Sequence, residues 1–558
     1  VVAETRTGAA ELAAEIRVSP VLADLLLARG CHTPTLARKF LNPALDDLHA
    51  PHQLRDMDGA IDRLMRAIQA NEKIEIHGDY DVDGTTSTVI LKTAIEMAGG
   101  TCTFCIPHRL RDGYGIQLAA VERAAAAGVT LIVSVDTGIR ANAIVERARE
   151  LGVDVVVTDH HLPETDLPRA VAVINPNRSD CAYPNKGLCG VGVAFKLVEG
   201  LLGRLNWEPS KMRRIMDSFL KLVAIGTVAD VVPLTGENRA IVKLGLAGLK
   251  DVKNPGLRAL LDAAGVQAGS QPTARQVGFQ IAPRINAAGR MASADRVVEL
   301  FFTKDEARAR EIAGELHRLN SERQAEEAAI VEFCVNLPVN ESQFALVLSG
   351  AGWHRGVLGI VASRVVERFG RPTFVLGEED GVCVGSGRSI AGFHLLDALE
   401  SMRELFVKFG GHSHAAGLTL SADAVEAFRE RLNTHAASVL TPEDLRPALE
   451  IDAVAKLSDL DDRFFAQLQL LEPFGSGNRS PVFAAMGLEV EDEPRLMKEK
   501  HLRVKLRQGA RVLSFKGFNF ASRLEEFAPG ARVDAAFALE EDTYSGGWAA
   551  VLKDVRAH

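Results

Sequence analysis

The chain has 558 residues, too many to pack around one hydrophobic core, so three or so domains are expected. Apolar residues make up 47% of it and charged residues 25%, which excludes a disordered chain. The formal charge of −9, from 64 basic and 73 acidic residues, excludes a uniformly basic nucleic-acid binder but not local basic patches. The seven cysteines, an odd and scattered set, suit a reducing cytoplasm better than a secreted disulfide framework. Cys102 and Cys105 form a CxxC, but no second pair of zinc spacing follows, so they read as ordinary strand cysteines. No run of 18 apolar residues predicts a membrane span, and no signal peptide is read.

The first seventy residues read as helical, with apolar residues at helical spacing over Val21–Arg29 and Ala60–Ala70. Strands and helices then alternate. Lys73–Gly78, Cys102–Pro107, Leu131–Asp136, Val153–Thr158 and Ala170–Ile174 read as strands. Thr85–Met97, Gln117–Ala127 and Ala141–Leu151 read as the intervening helices. The alternation predicts an α/β domain with a mainly parallel sheet, and the continuous apolar strands predict burial on both faces. Helices dominate from Gly192 to Asn336, where the polar, charged stretch Lys304–Phe333 predicts a long helix bridging two domains. A second α/β pattern opens at Phe344–Ser349 and runs to about Ala436. Pro442 and Pro447 mark a linker, and the remainder reads as a small β barrel. The expected divisions are thus 1–70, 71–303, the connecting helix 304–336, 337–440 and 441–558.

The ionisable residues fall at strand ends. His77 ends the first strand, with Asp79, Asp81 and Asp83 in the loop after it. Asp136 ends the third, and Asp159, His160 and His161 follow the fourth. In an open parallel sheet the carboxyl ends of the strands form the ligand crevice. Asp230, after the apolar run Leu220–Ala229, is placed to complete the cluster. A lone Asp at a strand end is more often a helix cap or turn former. Read as a set, these residues point to metal. Imidazole with carboxylate suits a first-row divalent ion such as Mn²⁺, whereas an all-oxygen site suits Mg²⁺ or Ca²⁺. Two ions about 3.5–4 Å apart clamp a phosphate and lower the pKa of a bridging water.

Four segments carry a resemblance: His77–Gly84 (HGDYDVDG), Ser134–Gly138 (SVDTG), Thr158–His161 (TDHH) and Gly226–Val231 (GTVADV). They resemble the motifs of the DHH phosphoesterase superfamily. The resemblance implies that His77 and Asp81 hold one metal, that Asp83, His160 and Asp230 hold the other, and that Asp136 bridges them. It implies two Mn²⁺ or Mg²⁺ ions. His161 is expected to orient the site or face the phosphate, and Asp79 is left outside the ligand set. Asp136, His160 and His161 are thus the expected catalytic residues.

Further segments narrow the substrate. Gly410–Gly417 (GGHSHAAG) resembles the glycine-rich signature of the DHHA1 domain, with His412 as a phosphate donor. Ser386-Gly-Arg-Ser389 resembles that domain's phosphate-binding segment, with Arg388 forking onto a phosphate beside Ser386. Ile106–Gly115 and Pro283–Arg290 resemble segments of the RecJ single-strand exonucleases, and they put Arg109, Arg284, Asn286 and Arg290 in candidate nucleic-acid-contacting positions. Leu471–Asn478 with Pro481–Phe483 is similar to the opening of the RecJ OB-type domain. Arg503, Lys505 and Arg507 after it alternate along a strand as one basic stripe. Phe515, Phe518 and Phe520 are candidates for stacking bases, though core positions are the commoner use of such residues.

The resemblance implies a cytoplasmic 5′→3′ exonuclease of single-stranded DNA, working in DNA repair and recombination. Its substrate would be a strand with a 5′-phosphate, and it would release 5′-mononucleotides. A single-strand-binding protein and a helicase are the implied partners, and a monomer is the implied state. A phosphodiesterase for short oligonucleotides or cyclic dinucleotides is the alternative, although such enzymes usually stop after the DHHA1 domain. A replication scaffold without catalysis would require broken metal ligands, and here all six are present.

Overall fold

The computed structural model describes residues 6–109, 111–340, 342–446, 448–542 and 546–558. Leu110 of the basic loop and Pro447 of the linker lie outside the described residues.

Helices α1 (Ala9–Ile16), α2 (Pro20–Ala28) and α3 (Pro34–Leu41) open the chain. Ser19 and Thr33 accept from backbone N–H groups at the starts of α2 and α3, and proline occupies the first turn of each. Leu22, Leu25 and Leu26 bury against Phe464, Leu468 and Phe527 of the C-terminal region. Helix α4 (Met57–Gln69) instead packs Ile61 and Leu64 against the first sheet. The helical start of the chain therefore divides between two cores.

The first sheet contains β1 (Ile74–His77), β2 (Cys102–Cys105), β3 (Leu131–Val135), β4 (Asp154–Thr158) and β5 (Ala172–Ile174). The order is β2-β1-β3-β4-β5 and every pairing is parallel. Helices α5 (Val82–Met97), α6 (Leu118–Ala126) and α7 (Asn142–Glu150) make the crossovers. Leu131, Val133 and Val135 of β3 face one core, and Ile132 faces the other with Val121 of α6 and Val145 of α7. Alternate residues of one strand thus serve two helical layers, which is why the strands read as unbroken apolar runs.

A helical layer follows: α8 (Gly190–Gly203), α9 (Pro209–Ala229), α10 (Gly236–Gly248), α11 (Pro255–Ala263), the short α12 (Ala274–Gln276), α13 (Ala282–Met291) and α14 (Asp295–Phe302). The 30-residue α15 (Glu306–Val335) then connects the two α/β units. Ala309, Ile312 and Leu316 bury in the helical layer, while Ile330 and Cys334 bury in the second unit. Its polar sequence hides an apolar face that changes partner halfway along.

The second unit comprises β6 (Leu346–Ala351), α16 (Leu358–Phe369), β7 (Thr373–Glu379), β8 (Val382–Arg388), α17 (Leu395–Glu400), β9 (Lys408–Gly411), β10 (Ala415–Ser421) and α18 (Val425–Val439). Its sheet runs β6-β7-β8-β10-β9, and only the β6–β7 pair is parallel.

The C-terminal region holds β11 (Ala453–Val454), α19 (Asp462–Gln469), β12 (Phe483–Val490), β13 (Arg495–Met497), β14 (His501–Gln508), β15 (Arg511–Gly517), β16 (Arg532–Glu541) and β17 (Trp548–Ala557). Strand β12 pairs with both β14 and β16, so β12-β14-β15-β17-β16 close into a five-stranded barrel in which β15 and β17 run parallel. Phe483, Val504, Leu506, Phe515 and Phe537 fill it. This is the expected OB-type barrel. Among the described residues no helix is long and apolar enough to cross a membrane, and all seven cysteines are free.

Candidate metal centre and phosphate cleft

The centre forms at the carboxyl edge of the first sheet. Asp81 caps α5, accepting from Gly84 N–H at 3.0 Å. The helix therefore begins at Val82 and carries Asp83 in its first turn. Gly84 permits the fold-back, since a Cβ there would lie 2.5 Å from Asp79 N. Asp83 is fully buried and accepts from Gly190 N–H at 2.6 Å and Val191 N–H at 2.7 Å. Those amides open α8, so a helix N-terminus holds this carboxylate.

Asp136 follows β3 at φ +61° and is buried. Its Oδ1 lies 3.2 Å from His160 Nε2. A Cβ at position 190 would come within 2.4 Å of the same oxygen, so only glycine fits beside it. His160, just past β4, places Nε2 at 3.8 Å from Asp83 Oδ2 and 3.7 Å from Asp230 Oδ2. Asp230 caps the C-terminus of α9. Ligand atoms of Asp83, His160 and Asp230 lie within 4.8 Å of one another, as do those of Asp79, Asp81 and Asp136. A further group combines Asp136, His160 and His161, which makes Asp136 and His160 the shared members.

The electrostatics are those of a cation site. Burial, then the charge of Asp81, pushes the Asp83 carboxyl up to about 7. Burial, then Asp83, pushes Asp230 up to about 9. Asp79 and Asp136 are also driven well above the carboxylate range, first by burial and then by neighbouring acids. Burial lowers His160 to about 4, so its ring is neutral. Asp79 Oδ1, Asp136 Oδ1, His160 Nε2 and Asp230 Oδ2 are buried without a hydrogen-bond partner. Buried polar atoms left unpaired are costly. Oxygen acceptors converging with a neutral imidazole nitrogen fit Mn²⁺ or Mg²⁺.

His77 joins none of these groups. Its Nε2 lies 2.8 Å from Glu75 Oε1, while Thr103 Oγ1 donates to Glu75 Oε2 at 3.1 Å. That contact leaves Nδ1 as the ring atom free for a metal. His161 is 43% exposed, and its Nδ1 lies 2.7 Å from Asp159 Oδ1. Burial lowers the His161 pKa, but the Asp159 hydrogen bond and charge outweigh it and the net shift is upward. Tyr114 Oη donates to Asp136 O at 3.2 Å and lies 3.2 Å from His161 Nδ1.

A cluster of guanidiniums borders the acids. Arg109 lies over the Tyr80 ring at 4.9 Å. Arg290 donates to Gly356 O at 2.8 Å, and burial followed by repulsion from Arg109 and Arg323 pushes it down to about 10. Arg388 donates to Ser386 Oγ at 3.0 Å and Gly387 O at 2.7 Å; burial, then Arg109, lowers it. Arg388 and Ser386 face the first turn of α16, where a Cβ at Gly359 would lie 2.8 Å from Arg388 Nη2. Among the described residues none of Arg109, Arg290 and Arg388 has an ion-pair partner. Arg323, from α15, was not legible because nothing distinguishes it from the other charges of that helix. It pairs with Glu327 at 2.7 Å.

Other predicted contacts lie elsewhere. Arg284 turns to α15, donating to His317 Nδ1 at 3.3 Å and to Gln280 O. Asn286 accepts from Val82 N–H at 3.1 Å, so it fastens the start of α5. Asn286 and Arg290 also line a cleft of about 500 Å³ with Phe279, Arg323 and Ile360. The glycine-rich segment forms the hairpin between β9 and β10, with His412 exposed at its turn. On β14, Arg503 donates to Ser514 Oγ at 2.9 Å, Lys505 pairs with Asp492 at 2.7 Å and Arg507 with Glu489 at 2.7 Å. Phe515 and Phe520 are core, whereas Phe518 is 50% exposed.

Family comparisons agree with this architecture. The DHH family N-terminal domain matches residues 73–227, the DHHA1 domain residues 341–438 and the RecJ OB domain residues 451–553. The chain is 40% identical to the single-stranded-DNA-specific exonuclease RecJ of Bacillus subtilis over 527 residues, 94% of this chain and 66% of that protein. It is 35% identical to the RecJ of Escherichia coli, covering 96% of this chain and 95% of that one. The crystal structure of Thermus thermophilus RecJ with Mn²⁺ superposes with a TM-score of 0.85 at 32% identity, covering all of this chain and 79% of that one. The chain belongs to the family of RecJ single-stranded-DNA-specific exonucleases.

Proposed function

We propose that this chain is a metal-dependent 5′→3′ exonuclease that removes 5′-mononucleotides from single-stranded DNA. One observation carries the reading: metal-ligand groups that share Asp136 and His160 hold buried atoms of Asp79, Asp136, His160 and Asp230 with no hydrogen-bond partner, beside arginines that have no ion pair among the described residues. His77 and Asp81 would hold one Mn²⁺ or Mg²⁺, Asp83, His160 and Asp230 the other, with Asp136 between them and Asp79 close by. Bound there, the ions supply an activated water and neutralise charge on the scissile phosphate.

The chain's own groups bind and orient the strand. Arg109 and Arg290 take phosphates beside the acids. Arg388, Ser386 and the leading N–H groups of α16 receive the strand's 5′-phosphate. Capturing that end one step from the acids sets the polarity and the one-nucleotide product. Asp159 keeps a proton on His161, which faces the departing 3′-oxygen and its phosphate. The barrel, with Arg503, Lys505 and Phe518 on its surface, extends contact along the strand, which favours a polymeric substrate over a dinucleotide. A single-strand-binding protein and a helicase are the partners that would present such strands, and the chain acts as a monomer.

The test is degradation of an internally labelled single strand with Mn²⁺, comparing a 5′-phosphate with a blocked 5′ end. Mononucleotides released only from the free 5′ end are expected, with none from Asp136→Ala. Cleavage restricted to dinucleotides, or an Asp136→Ala protein as active as wild type, overturns the reading.

A further inference from the structure

Asp230 ends α9, and the residue that follows it is strained. Val231, the next residue, adopts φ +59° with its side chain 70% exposed. A β-branched residue in the left-handed region is strained and persists only where its surroundings impose it. No packing by Val231 compensates for that strain. Val232 and Leu234 on its far side pack into the cores, and between them the Pro233 carbonyl is tied by a side chain from outside the loop.

Asn238, in the first turn of α10, is the holder. It is 1% exposed, and both ends of its amide are engaged by protein groups. Its Nδ2 donates to Pro233 O at 3.0 Å and to Gly187 O at 2.6 Å. Pro233 follows Asp230 by three positions, and Gly187 precedes Gly190 by three. One side-chain amide therefore joins the loop after Asp230 to the segment leading into α8, whose first N–H groups grip Asp83. The two segments touch: a Cβ on Gly187 would lie 3.4 Å from Pro233 Cδ. Asn185 Nδ2 donates to Asn238 Oδ1 at 2.8 Å, which fixes the amide with its donors toward the two carbonyls. From the other side, Leu234 N–H donates to Ser476 O of the C-terminal region at 2.7 Å.

We propose that Asn238 is a positioning residue that sets the spacing of Asp83 and Asp230 and so builds one of the two metal positions. The inference rests on the two-metal reading above. Without the amide, Val231 relaxes out of the left-handed region and Asp230 moves away from Asp83 and His160. The position formed by Asp81 and Asp136 depends on β1, β3 and the α5 cap, and stays intact.

The test is Mn²⁺ binding by the full-length protein, counted by calorimetry and by electron paramagnetic resonance. Wild type is expected to bind two ions. Asn238→Ala should weaken one site by about 10–100-fold, the range for groups that orient metal ligands. The other site, and single-strand binding in EDTA, should match wild type. Adding Val231→Gly to Asn238→Ala should recover most of the lost affinity, because glycine holds the left-handed conformation without strain. A protein merely damaged by losing Asn238 would not be rescued that way. Asn185→Ala, at a half-buried position, is the milder variant should Asn238→Ala not fold; it should shift the same site by a smaller factor. Wild type binding no Mn²⁺ sinks the metal reading itself. Wild type binding two ions while both variants bind them equally well overturns the role of Asn238 alone, as does a double variant no better than Asn238→Ala.

Discussion

At the residue scale, two contacts separate holding metal from holding the strand. Glu75 is tied to His77 Nε2 and to Thr103 and touches no member of the donor groups. Its partial burial would raise its pKa, but the His77 hydrogen bond outweighs this and the net shift is downward, so it is ionised at neutral pH. A carboxylate behind an imidazole fixes the tautomer and the ring angle of a metal ligand. Glu75→Gln should raise the Mn²⁺ concentration for half-maximal loading about 10-fold while leaving the thermal midpoint within a few degrees; unchanged loading would remove His77 from the ligand set. In the proposed function Arg388 holds the strand. Arg388→Ala should weaken binding of a 5′-phosphorylated oligonucleotide by about 1.5–3 kcal/mol, the worth of a charge-assisted hydrogen bond, measured by fluorescence anisotropy against the same strand with a 5′-hydroxyl. Metal content should not change. If it falls, or if both strands lose equally, Arg388 does not read the 5′ end.

At the element scale, the α/β core was legible because its signal is local. Unbroken apolar runs gave β1 to β5 within a residue or two, and acids after their ends gather with His160 into groups that could hold a metal. The start of α5 was placed three residues late, at Thr85 instead of Val82, because the acid-rich stretch from Asp79 to Gly84 reads as loop. The Asp81 cap makes it helix and delivers Asp83 to α8. Asp79 was set aside from the ligands, yet its atoms meet those of Asp81 and Asp136. Arg284, a candidate phosphate contact by its motif, also donates to His317 of α15, a contact the motif does not reveal. The docking of α1–α3 on the barrel has no local signature, since contacts made across more than four hundred residues leave no period in the chain. Arg239 of α10 secures that docking. Its guanidinium donates to Phe40 O at 2.8 Å, Leu471 O at 2.8 Å, Leu470 O at 3.1 Å and Glu472 O at 2.8 Å. It therefore satisfies carbonyls at the ends of α3 and α19 together. Arg239→Met keeps the stem; Leu471 O keeps Asn478 Nδ2 and Leu470 O keeps Lys243 Nζ, but the Phe40 and Glu472 carbonyls lose this donor, at about 1–3 kcal/mol for each one that water cannot reach. The expected result is a loss of about 3 kcal/mol or more in urea unfolding, with a separate early transition for the barrel and α1–α3. A single transition at the wild-type midpoint would show that the barrel is held by its apolar contacts alone.

At the scale of the whole molecule, the acid cluster couples stability to pH and metal in a direction that can be worked out. An unfolded carboxyl titrates near 4. In the folded, metal-free chain Asp83 holds its proton up to about 7 and Asp230 up to about 9, with Asp79 and Asp136 also raised. Each such group binds more protons when folded than when unfolded, so the metal-free fold weakens as pH rises through that interval. A carboxyl that stays protonated only in the fold contributes about 1.4 kcal/mol of lost stability per pH unit. His160 has the opposite sign, being neutral in the fold down to about 4, but it acts only below its ordinary value near 6.5. Lys243, lowered to about 8 by burial, also opposes the trend, but only above that value. Between pH 6.5 and 8 the carboxyls therefore dominate. The thermal midpoint of EDTA-treated protein should fall across this window. Mn²⁺ replaces the protons, and its stabilisation should be larger at pH 8 than at pH 6.5, where protons compete with it. A midpoint that rises with pH in EDTA, or an Mn²⁺ increment that shrinks from pH 6.5 to 8, would mean that the cluster is not the metal-binding charge of the molecule.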